Sequence, residues 1–361
     1  LLADAAPQVG VLHEVAQVAG GGLAVAVEGV LALAQLAGQP HHGAPPGAAP
    51  RGEAHEGRID LEFNFPTVPQ QAGLIARALS GLQRADAAGS AAGPVTTPQI
   101  DAARKVFASF LRTRHWQPSG DALVFTGSGR QSIAAAFSAL APVGGRVAVE
   151  ALSYPMIKSI AARLGVSIIP IAMDDEGMLP DALSRAHRKA AVSAIYVQPV
   201  MHNPLGLSMS SARRAEIVRL ASKLDIPIVE DLVYGCLNDN PPLAALAPER
   251  CIVIDSLSKR IAPGISVGTM HVPEGLRERI WSTVRGGAWT VPPLGLDLGV
   301  RLLLDGAAAE LVRLKRRDAR RRLAIVGKAL GDHAFAGDPA SYHLWLKLPE
   351  GWRSEAFVAA A

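Results

Sequence analysis

Seven short apolar runs alternate with stretches of helical composition from Ala102 to Val284, and this alternation restricts the fold more than any other feature. The runs are Ala122–Phe125, Arg146–Val149, Ser167–Ile171, Ala194–Val197, Pro227–Glu230, Ile252–Ile254 and Val267–Val272. Runs that are apolar throughout predict strands buried on both faces. Because helical stretches separate them, we expect an α/β fold with a doubly wound, mostly parallel sheet. The 361 residues, 49% of them hydrophobic, suffice for a large domain and a smaller one.

Composition divides the chain into three parts. Residues 1–57 are rich in Ala, Gly, Pro and Val, which predicts a low-complexity, disordered segment. Residues 58–285 contain the predicted strands and are expected to form the large domain, with an N-terminal arm over residues 58–100. Residues 286–361 are expected to form an incomplete smaller α/β domain.

Neither a membrane span nor a DNA-binding domain is indicated. The apolar stretch Ala19–Ala37 has Glu28 near its middle and no positively charged flank, so we expect neither membrane insertion nor a secretory signal. Much of the net charge of +4 comes from Arg313–Arg322. The leucines around and inside this run predict a long helix with a solvated face, rather than a nucleic-acid patch. No nucleic-acid-binding domain is recognisable.

Cysteine and histidine usage argues against disulfides and metals. The chain has two cysteines, Cys236 and Cys251, which are too few for a disulfide framework. No Cys-x-x-Cys pair and no His-rich spacing indicates a metal site. These features fit a protein of the reducing cytoplasm.

Lys259 closely follows the apolar run Ile252–Ile254, within the sequence Ser-Leu-Ser-Lys-Arg-Ile-Ala-Pro-Gly of residues 256–264. Lysine is rarely buried unless it is paired or reactive. A desolvated lysine amine is a nucleophile that forms a Schiff base with a carbonyl group. A surface lysine in a loop is the alternative for a motif of this length taken alone.

Further polar residues follow the ends of other apolar runs. Asn203 begins an Asn-Pro-Leu-Gly turn, and Asp231 ends a run three residues before Tyr234. Strand alternation is expected to turn Glu230 to the opposite face from Asp231. A Gly/Ser turn over residues 126–132 precedes a helix, whose first N–H groups would attract an anion. Open α/β sheets bind ligands at the carboxyl ends of their strands, where these residues are predicted to lie.

In this order and spacing, the motifs resemble the fold-type-I pyridoxal-phosphate enzymes of the aspartate aminotransferase superfamily, over roughly residues 58–358. The sequence Glu-Asp-x-x-Tyr followed by Ser-Leu-Ser-Lys-Arg is most similar to the aminotransferase-like domain of MocR-type GntR regulators. The resemblance implies pyridoxal 5′-phosphate as cofactor, a small amino acid or amine as substrate or effector, and a homodimer.

The resemblance also implies a role for each motif residue. Lys259 would bind the cofactor aldehyde and act as the catalytic acid and base. Asp231 would face the ring nitrogen, Asn203 and Tyr234 the phenolic oxygen, and Tyr154 would stack on the ring. Asp231 and Tyr234 would thereby join Lys259 in catalysis. The phosphate would be held by Ser128, Gly129, Arg130, Gln131, Ser256 and Ser258.

Three departures from the family pattern are visible. The arginine expected seven residues after Lys259 to grip the phosphate is Ser266, for which Arg130 or Arg260 would have to compensate. The arginine expected to bind the substrate carboxylate, after the strand at residues 342–349, has no counterpart. The stretch Leu82–Pro98 lacks the family's tyrosine and predicts a polar loop.

Three functions therefore remain open from the sequence. The first is an aminotransferase that moves an amino group between an L-amino acid and a 2-oxo acid. The second is an effector-sensing domain of a GntR/MocR-type regulator that uses the same cofactor site without turnover. The third is a degenerate fold without cofactor, which is motivated by Ser266 and by the incomplete C-terminal part.

Overall fold

The computed structural model describes residues 64–331, 335–348, 352–354 and 357. The predicted low-complexity segment 1–57, with its apolar stretch Ala19–Ala37, lies outside these residues. Within the described residues the strands are β1 (Leu123–Thr126), β2 (Arg146–Glu150), β3 (Ser167–Ile171), β4 (Met173–Asp174), β5 (Gly177–Met178), β6 (Ala194–Val197), β7 (Ile228–Asp231), β8 (Cys251–Ser256), β9 (Gly268–His271), β10 (Phe335–Ala336) and β11 (Trp345–Leu346).

Helices flank these strands along the whole described chain. They are α1 (Gln71–Ser80), α2 (Ala85–Ala92), α3 (Thr97–Leu111), α4 (Gly129–Leu140), α5 (Met156–Arg163), α6 (Pro180–Lys189), α7 (Ser211–Leu224), α8 (Leu257–Arg260), α9 (Glu274–Gly286), α10 (Pro293–Leu304) and α11 (Ala307–Leu330). None of the helices described here has the length and hydrophobicity needed to cross a bilayer.

Seven strands form one sheet in the order β1-β9-β8-β7-β6-β2-β3, while β4–β5 and β10–β11 form two separate pairs. Strands β3, β2, β6, β7 and β8 are mutually parallel, and β9 is antiparallel to both β8 and β1. The predicted α/β fold with a mostly parallel sheet is therefore confirmed. The predicted division into domains stays a prediction.

The sheet is buried on both faces, as its continuous apolar runs predict. Ile195 and Ile228 pack with Leu183 of α6 and Ile217 of α7 on one face. Tyr196, Val229 and Ile252 pack with Phe137 of α4 on the other. Full burial of an aliphatic side chain of this size stabilises the fold by about 1.5–3 kcal/mol. Both layers therefore hold the strand ends in fixed positions, and the candidate site lies at those ends.

The loop predicted for Leu82–Pro98 is wrong over most of its length. Residues Ala85–Ala92 form α2, and α3 begins at Thr97. Five of the eight residues of α2 are alanine, the residue with the highest helix propensity, and together they outweigh its single glycine. The start of α3 is also encoded locally, because the Gln99 side chain accepts a hydrogen bond of 2.7 Å from the Thr96 N–H.

Candidate active site

The predicted site residues converge at one edge of the sheet, where the parallel strands end. Ser128 follows β1, Asn203 follows β6, and Asp231 ends β7. Ser256 ends β8, which continues without a loop into α8 and its Lys259. Asp231 and Ile254 are register partners on neighbouring strands. The carboxyl ends of the parallel strands thus bring together residues that are more than 100 positions apart in the sequence.

Asp231 is a buried carboxylate that is held by neutral donors. Its Oδ2 accepts hydrogen bonds from the Tyr196 hydroxyl at 2.7 Å and the Gln198 amide at 3.2 Å. Its Oδ1 accepts a hydrogen bond of 3.0 Å from the Val233 N–H. Burial raises the pKa of Asp231, and these three hydrogen bonds only partly oppose that shift. A cation beside this carboxylate would stabilise its charged form.

Glu230 lies on the other face of β7, as the alternation predicts. Its two carboxylate oxygens accept hydrogen bonds from the N–H groups of Leu243 at 2.7 Å and Ala244 at 3.2 Å. Burial raises the pKa of Glu230 to about 7 against these hydrogen bonds. Both oxygens thus bind the start of the short helix Leu243–Ala245, which assigns Glu230 a structural role.

The turn that carries Asn203 is tied to Asp231 through Gln198. The Gln198 side chain donates to Asp231 and accepts a hydrogen bond of 3.2 Å from the Asn203 N–H. A second anchor lies beneath the turn, where Nε2 of the fully buried His202 is 3.2 Å from Oε2 of the fully buried Glu150. Asn203 is itself 3% exposed. The main chain at Asn203 is therefore tied to the buried residues around Asp231.

Lys259 is half-buried on the short helix α8, beneath the first described residues of the chain. The Ser256 hydroxyl caps α8 by accepting a hydrogen bond of 3.2 Å from the Ser258 N–H. The Lys259 Nζ donates to the Asn64 carbonyl. It lies 4.2 Å from the ring centroid of Phe65 and 5.3 Å from that of Tyr234. The amine is thus partly desolvated by two aromatic rings.

Tyr234 is fixed from two distant parts of the chain. The Asn64 side-chain amide donates to the Tyr234 hydroxyl at 3.1 Å, and the His343 ring lies 5.0 Å from the Tyr234 ring. His343 Nε2 donates to the His202 carbonyl at 3.0 Å, which leaves Nδ1 to accept from the Ser341 hydroxyl at 3.1 Å. Burial lowers the pKa of His343 to about 4, so the ring is neutral at pH 7.

Three serine hydroxyls form a connected group beside the first turn of α4. Ser258 Oγ lies 3.0 Å from both Ser256 Oγ and Ser266 Oγ. A side chain on Gly129 would meet Ser256 Cβ at 3.4 Å, so this group directly adjoins the start of α4. Ser128 caps α4 by accepting a hydrogen bond of 3.3 Å from the Gln131 N–H. Hydroxyl donors and the N–H groups at a helix start are groups that bind anions in proteins, and here they lie side by side.

The two arginines that could supply the positive charge missing at Ser266, Arg130 and Arg260, lie in different surroundings. Arg260 forms an ion pair with the buried Asp255, and its guanidinium lies 5.4 Å from the ring of Phe110. The prediction that Arg260 compensates is therefore wrong, because its charge is already neutralised there. Arg130 is exposed at the first turn of α4, where its Nε donates to the Tyr154 hydroxyl at 2.9 Å. Compensation by Arg130 stays a prediction.

Several residues of this region were missed by sequence reasoning. Tyr196 and Gln198 follow the alternation of β6, and the pairing of Tyr196 with Val229 places both on the Asp231 face. Alternate residues of a strand face the same side of the sheet, so the polar residues at alternate positions near the end of β6 could have been predicted to face Asp231. No sequence pattern marks Asn64 or His343 as a site residue, because only tertiary packing brings them to Tyr234. No group of three or more His, Cys, Asp or Glu side chains suited to a metal occurs among the described residues.

Comparison with known proteins identifies the family. The family model for aminotransferase class I and II matches residues 56–305. An uncharacterized HTH-type transcriptional regulator of Bacillus subtilis, YdeF, is 31% identical over 253 residues, which cover 70% of this chain and 54% of YdeF. An aromatic amino acid aminotransferase of Schizosaccharomyces pombe is 34% identical over 155 residues, which cover 35% of this chain and 32% of that enzyme.

A solved structure with the same fold is the kynurenine aminotransferase of Pyrococcus horikoshii. It matches with a TM-score of 0.69 and 23% identity, over 79% of this chain and 74% of that one. The chain spans about half the length of YdeF. The match to the family model extends over more than half of the residues, and this chain therefore belongs to the aminotransferase class I and II family.

Proposed function

We propose that this chain binds pyridoxal 5′-phosphate and transfers an amino group between an L-amino acid and a 2-oxo acid. The observation that carries the proposal is the meeting of Lys259, Asp231 and Tyr234 at one sheet edge. A partly desolvated amine 5.3 Å from the ring of Tyr234 and a buried carboxylate on the adjacent strand are the two groups that a protonated pyridine aldehyde requires.

The ring-binding residues fit this cofactor. All three donors to Asp231 are neutral, so a protonated ring nitrogen would supply the cation that its desolvated carboxylate needs. Tyr196 remains a donor because burial raises the pKa of its hydroxyl. Asn203 and Tyr234 would hydrogen-bond the phenolic oxygen, and Tyr154 would cover the ring face.

The residues proposed to bind the phosphate also fit this cofactor, but they carry less positive charge than the family pattern does. The first-turn N–H groups of Gly129, Arg130 and Gln131 and the three serine hydroxyls would hold the phosphate oxygens. Ser266 contributes a hydroxyl where the family has a guanidinium, so Arg130 would be the cation of this side.

Bound pyridoxal phosphate would supply an electron sink for bond changes at the amino-acid Cα. Lys259 would hold the cofactor covalently, and its amine would serve as the acid and base that moves a proton at the substrate Cα. Asp231 would keep the ring nitrogen protonated throughout. We further propose a homodimer in the cytoplasm; the burial of both free cysteines accords with a reducing compartment.

The similarity to YdeF supports a second candidate. In this candidate, the same residues bind pyridoxal phosphate and an amino acid or amine, and the resulting change is read by another part of a regulator, without turnover. The name of YdeF as a transcriptional regulator and the half of its length outside the match are the supporting observations.

The test is attachment of the cofactor to Lys259. We expect the purified chain to develop a visible absorbance band with pyridoxal phosphate, and borohydride to fix the label on the peptide that contains Lys259. Lys259→Ala should abolish both signals, whereas Lys158→Ala, at an exposed lysine of α5, should preserve them. A folded chain without the band, or with the label on another lysine, contradicts the proposal.

Amino acids then separate the two candidates. An aminotransferase should convert added L-amino acids to 2-oxo acids in the presence of an acceptor, over many turnovers. A sensor should show a spectral change that saturates with amino acid while no 2-oxo acid accumulates. The panel should include aromatic amino acids, because a similar enzyme carries that specificity in its name.

A further inference from the structure

Lys315 is a buried lysine to which the proposed chemistry assigns no role. It lies in α11 within the basic run Arg313–Arg322, and it is 2% exposed. The predicted helix with a solvated face is confirmed, since Arg313 and Arg317 are exposed, whereas Lys315 lies on the buried side of α11 with Leu311, Leu314 and Ala319. A buried ammonium group requires a specific set of acceptors.

Those acceptors belong to the segment that carries Lys259. The Lys315 Nζ donates to the Lys259 carbonyl at 3.1 Å and to the Ile261 carbonyl at 2.7 Å. Helix α8 has four residues, and its own last hydrogen bond joins the Ile261 N–H to the Leu257 carbonyl at 2.7 Å. The carbonyls at the end of a helix otherwise lack donors and attract a cation. Lys315 thus closes the end of α8.

Lys315 is itself held in place from a third part of the chain. The Tyr342 hydroxyl lies 2.9 Å from the Lys315 carbonyl oxygen and 3.0 Å from an Asp318 carboxylate oxygen, so these two acceptors share its one proton. Burial lowers the pKa of Lys315 to about 8, and nearby Asp318 and Cys236 oppose that shift. The ammonium form therefore prevails at pH 7, and the side chain keeps its capacity to donate to both carbonyls.

We propose that Lys315 is a positioning residue for Lys259. By binding the carbonyls on either side of Arg260, it fixes the main chain from residue 259 to 261 and with it the direction of the Lys259 side chain. The role of Lys259 is that of the proposed function, on which this inference rests. A purely structural Lys315 would stabilise the whole fold without any particular effect on the Lys259 amine.

The experiment compares four variants of the full chain by titration with pyridoxal phosphate. Lys315→Met removes the donor and keeps the length, and Lys315→Arg restores charge and donors. Arg313→Met removes an exposed charge two residues away. Leu183→Ala lowers stability from a buried position in α6, a helix that contributes no site residue. Thermal unfolding is measured for each.

We expect about tenfold weaker attachment in Lys315→Met, because the two hydrogen bonds from a charged donor to the main chain around Lys259 are lost. The circular dichroism of the visible band should fall as well, because a less fixed amine holds the ring less asymmetrically. Lys315→Arg should recover most of the affinity, and the two other variants should bind as the parent does. Equal weakening in Lys315→Met and Leu183→Ala, or no rescue by arginine, would overturn the proposal.

A second measurement separates this proposal from the function of the site. Reductive methylation with formaldehyde and cyanoborohydride, mapped to Lys259, reports the freedom of its amine without any cofactor. We expect methylation at Lys259 to be at least about threefold faster in Lys315→Met, or in Lys315→Gln should the methionine variant not fold. An unchanged rate overturns the positioning role even if the parent attaches the cofactor. A parent that never attaches it rejects the proposed function, and the methylation rate still decides the role of Lys315.

Discussion

The candidate site has two sides that are built differently. The proposed ring side consists of Asn203, Asp231, Tyr234 and Lys259. The proposed phosphate side consists of Ser128, Arg130, Ser256, Ser258 and Ser266. On the ring side, three of the four side chains are buried, and hydrogen bonds with several elements fix these residues. On the phosphate side, hydroxyls bond to one another, and the single cation is exposed.

This difference indicates how each side would contribute to affinity. Buried charge pairs with fixed geometry act at a low local dielectric, whereas an exposed arginine is screened by water and salt. Hydrogen bonds between neutral hydroxyls and an anion also lack the fork and charge of a guanidinium. The ring side is therefore expected to dominate cofactor binding, and the phosphate side to add less than the family pattern would.

The largest expected effect tests the ring side. Asp231→Asn removes the anion opposite the ring nitrogen and should weaken pyridoxal phosphate binding by about 100-fold, as for the loss of one partner of a buried charge pair. Glu230→Gln is the matched control, since it neutralises the adjacent carboxylate of the same strand on the other face. Absorbance titration measures both. Equal affinities of the parent and Asp231→Asn would remove the ring-nitrogen role of Asp231.

An intermediate effect tests the phosphate side. Ser266→Arg should tighten pyridoxal phosphate binding by about tenfold, because a charge-assisted contact is about twice as strong as a neutral one. Affinity for pyridoxal, which lacks the phosphate, should not change. The ratio of the two affinities is the quantity to compare between parent and variant. A gain for both compounds, or for neither, would show that position 266 does not face the phosphate.

The smallest effect concerns the support of the ring side by His343. Its folded pKa of about 4 lies below the ordinary 6.5, so its contribution to stability is complete above pH 6.5 and is lost as the pH falls towards 4. The parent should lose about 1 kcal/mol of unfolding free energy through this group between about pH 6.5 and 5.5. Denaturant unfolding of His343→Gln should lack that loss. Parallel pH profiles of parent and variant would contradict a buried neutral His343.

Prediction from sequence succeeded where local pattern decides the outcome. The strand before Asp231 and the position of Lys259 after β8 follow from short apolar runs and their ends. It failed where tertiary contacts decide, as for Asn64, which lies 170 positions from Tyr234. Lys315 is an intermediate case. Its spacing of four residues from Leu311 indicates the buried face of the helix, but the arginines around it indicate a solvated face.

The antiparallel direction of β9 affects which positions near the candidate site can be substituted during evolution. Because β9 is antiparallel to β8, the N-terminal end of β9 lies beside the C-terminal end of β8, and Gly268 pairs with Ser256. Gly268 does not tolerate a larger residue, since a Cβ there would overlap the Thr126 hydroxyl oxygen and the main chain of Ser128. Ser266, two residues earlier, lies outside the strand and is partly exposed. Natural variation or engineering at position 266 is therefore expected to change the proposed phosphate side without altering a residue of the sheet.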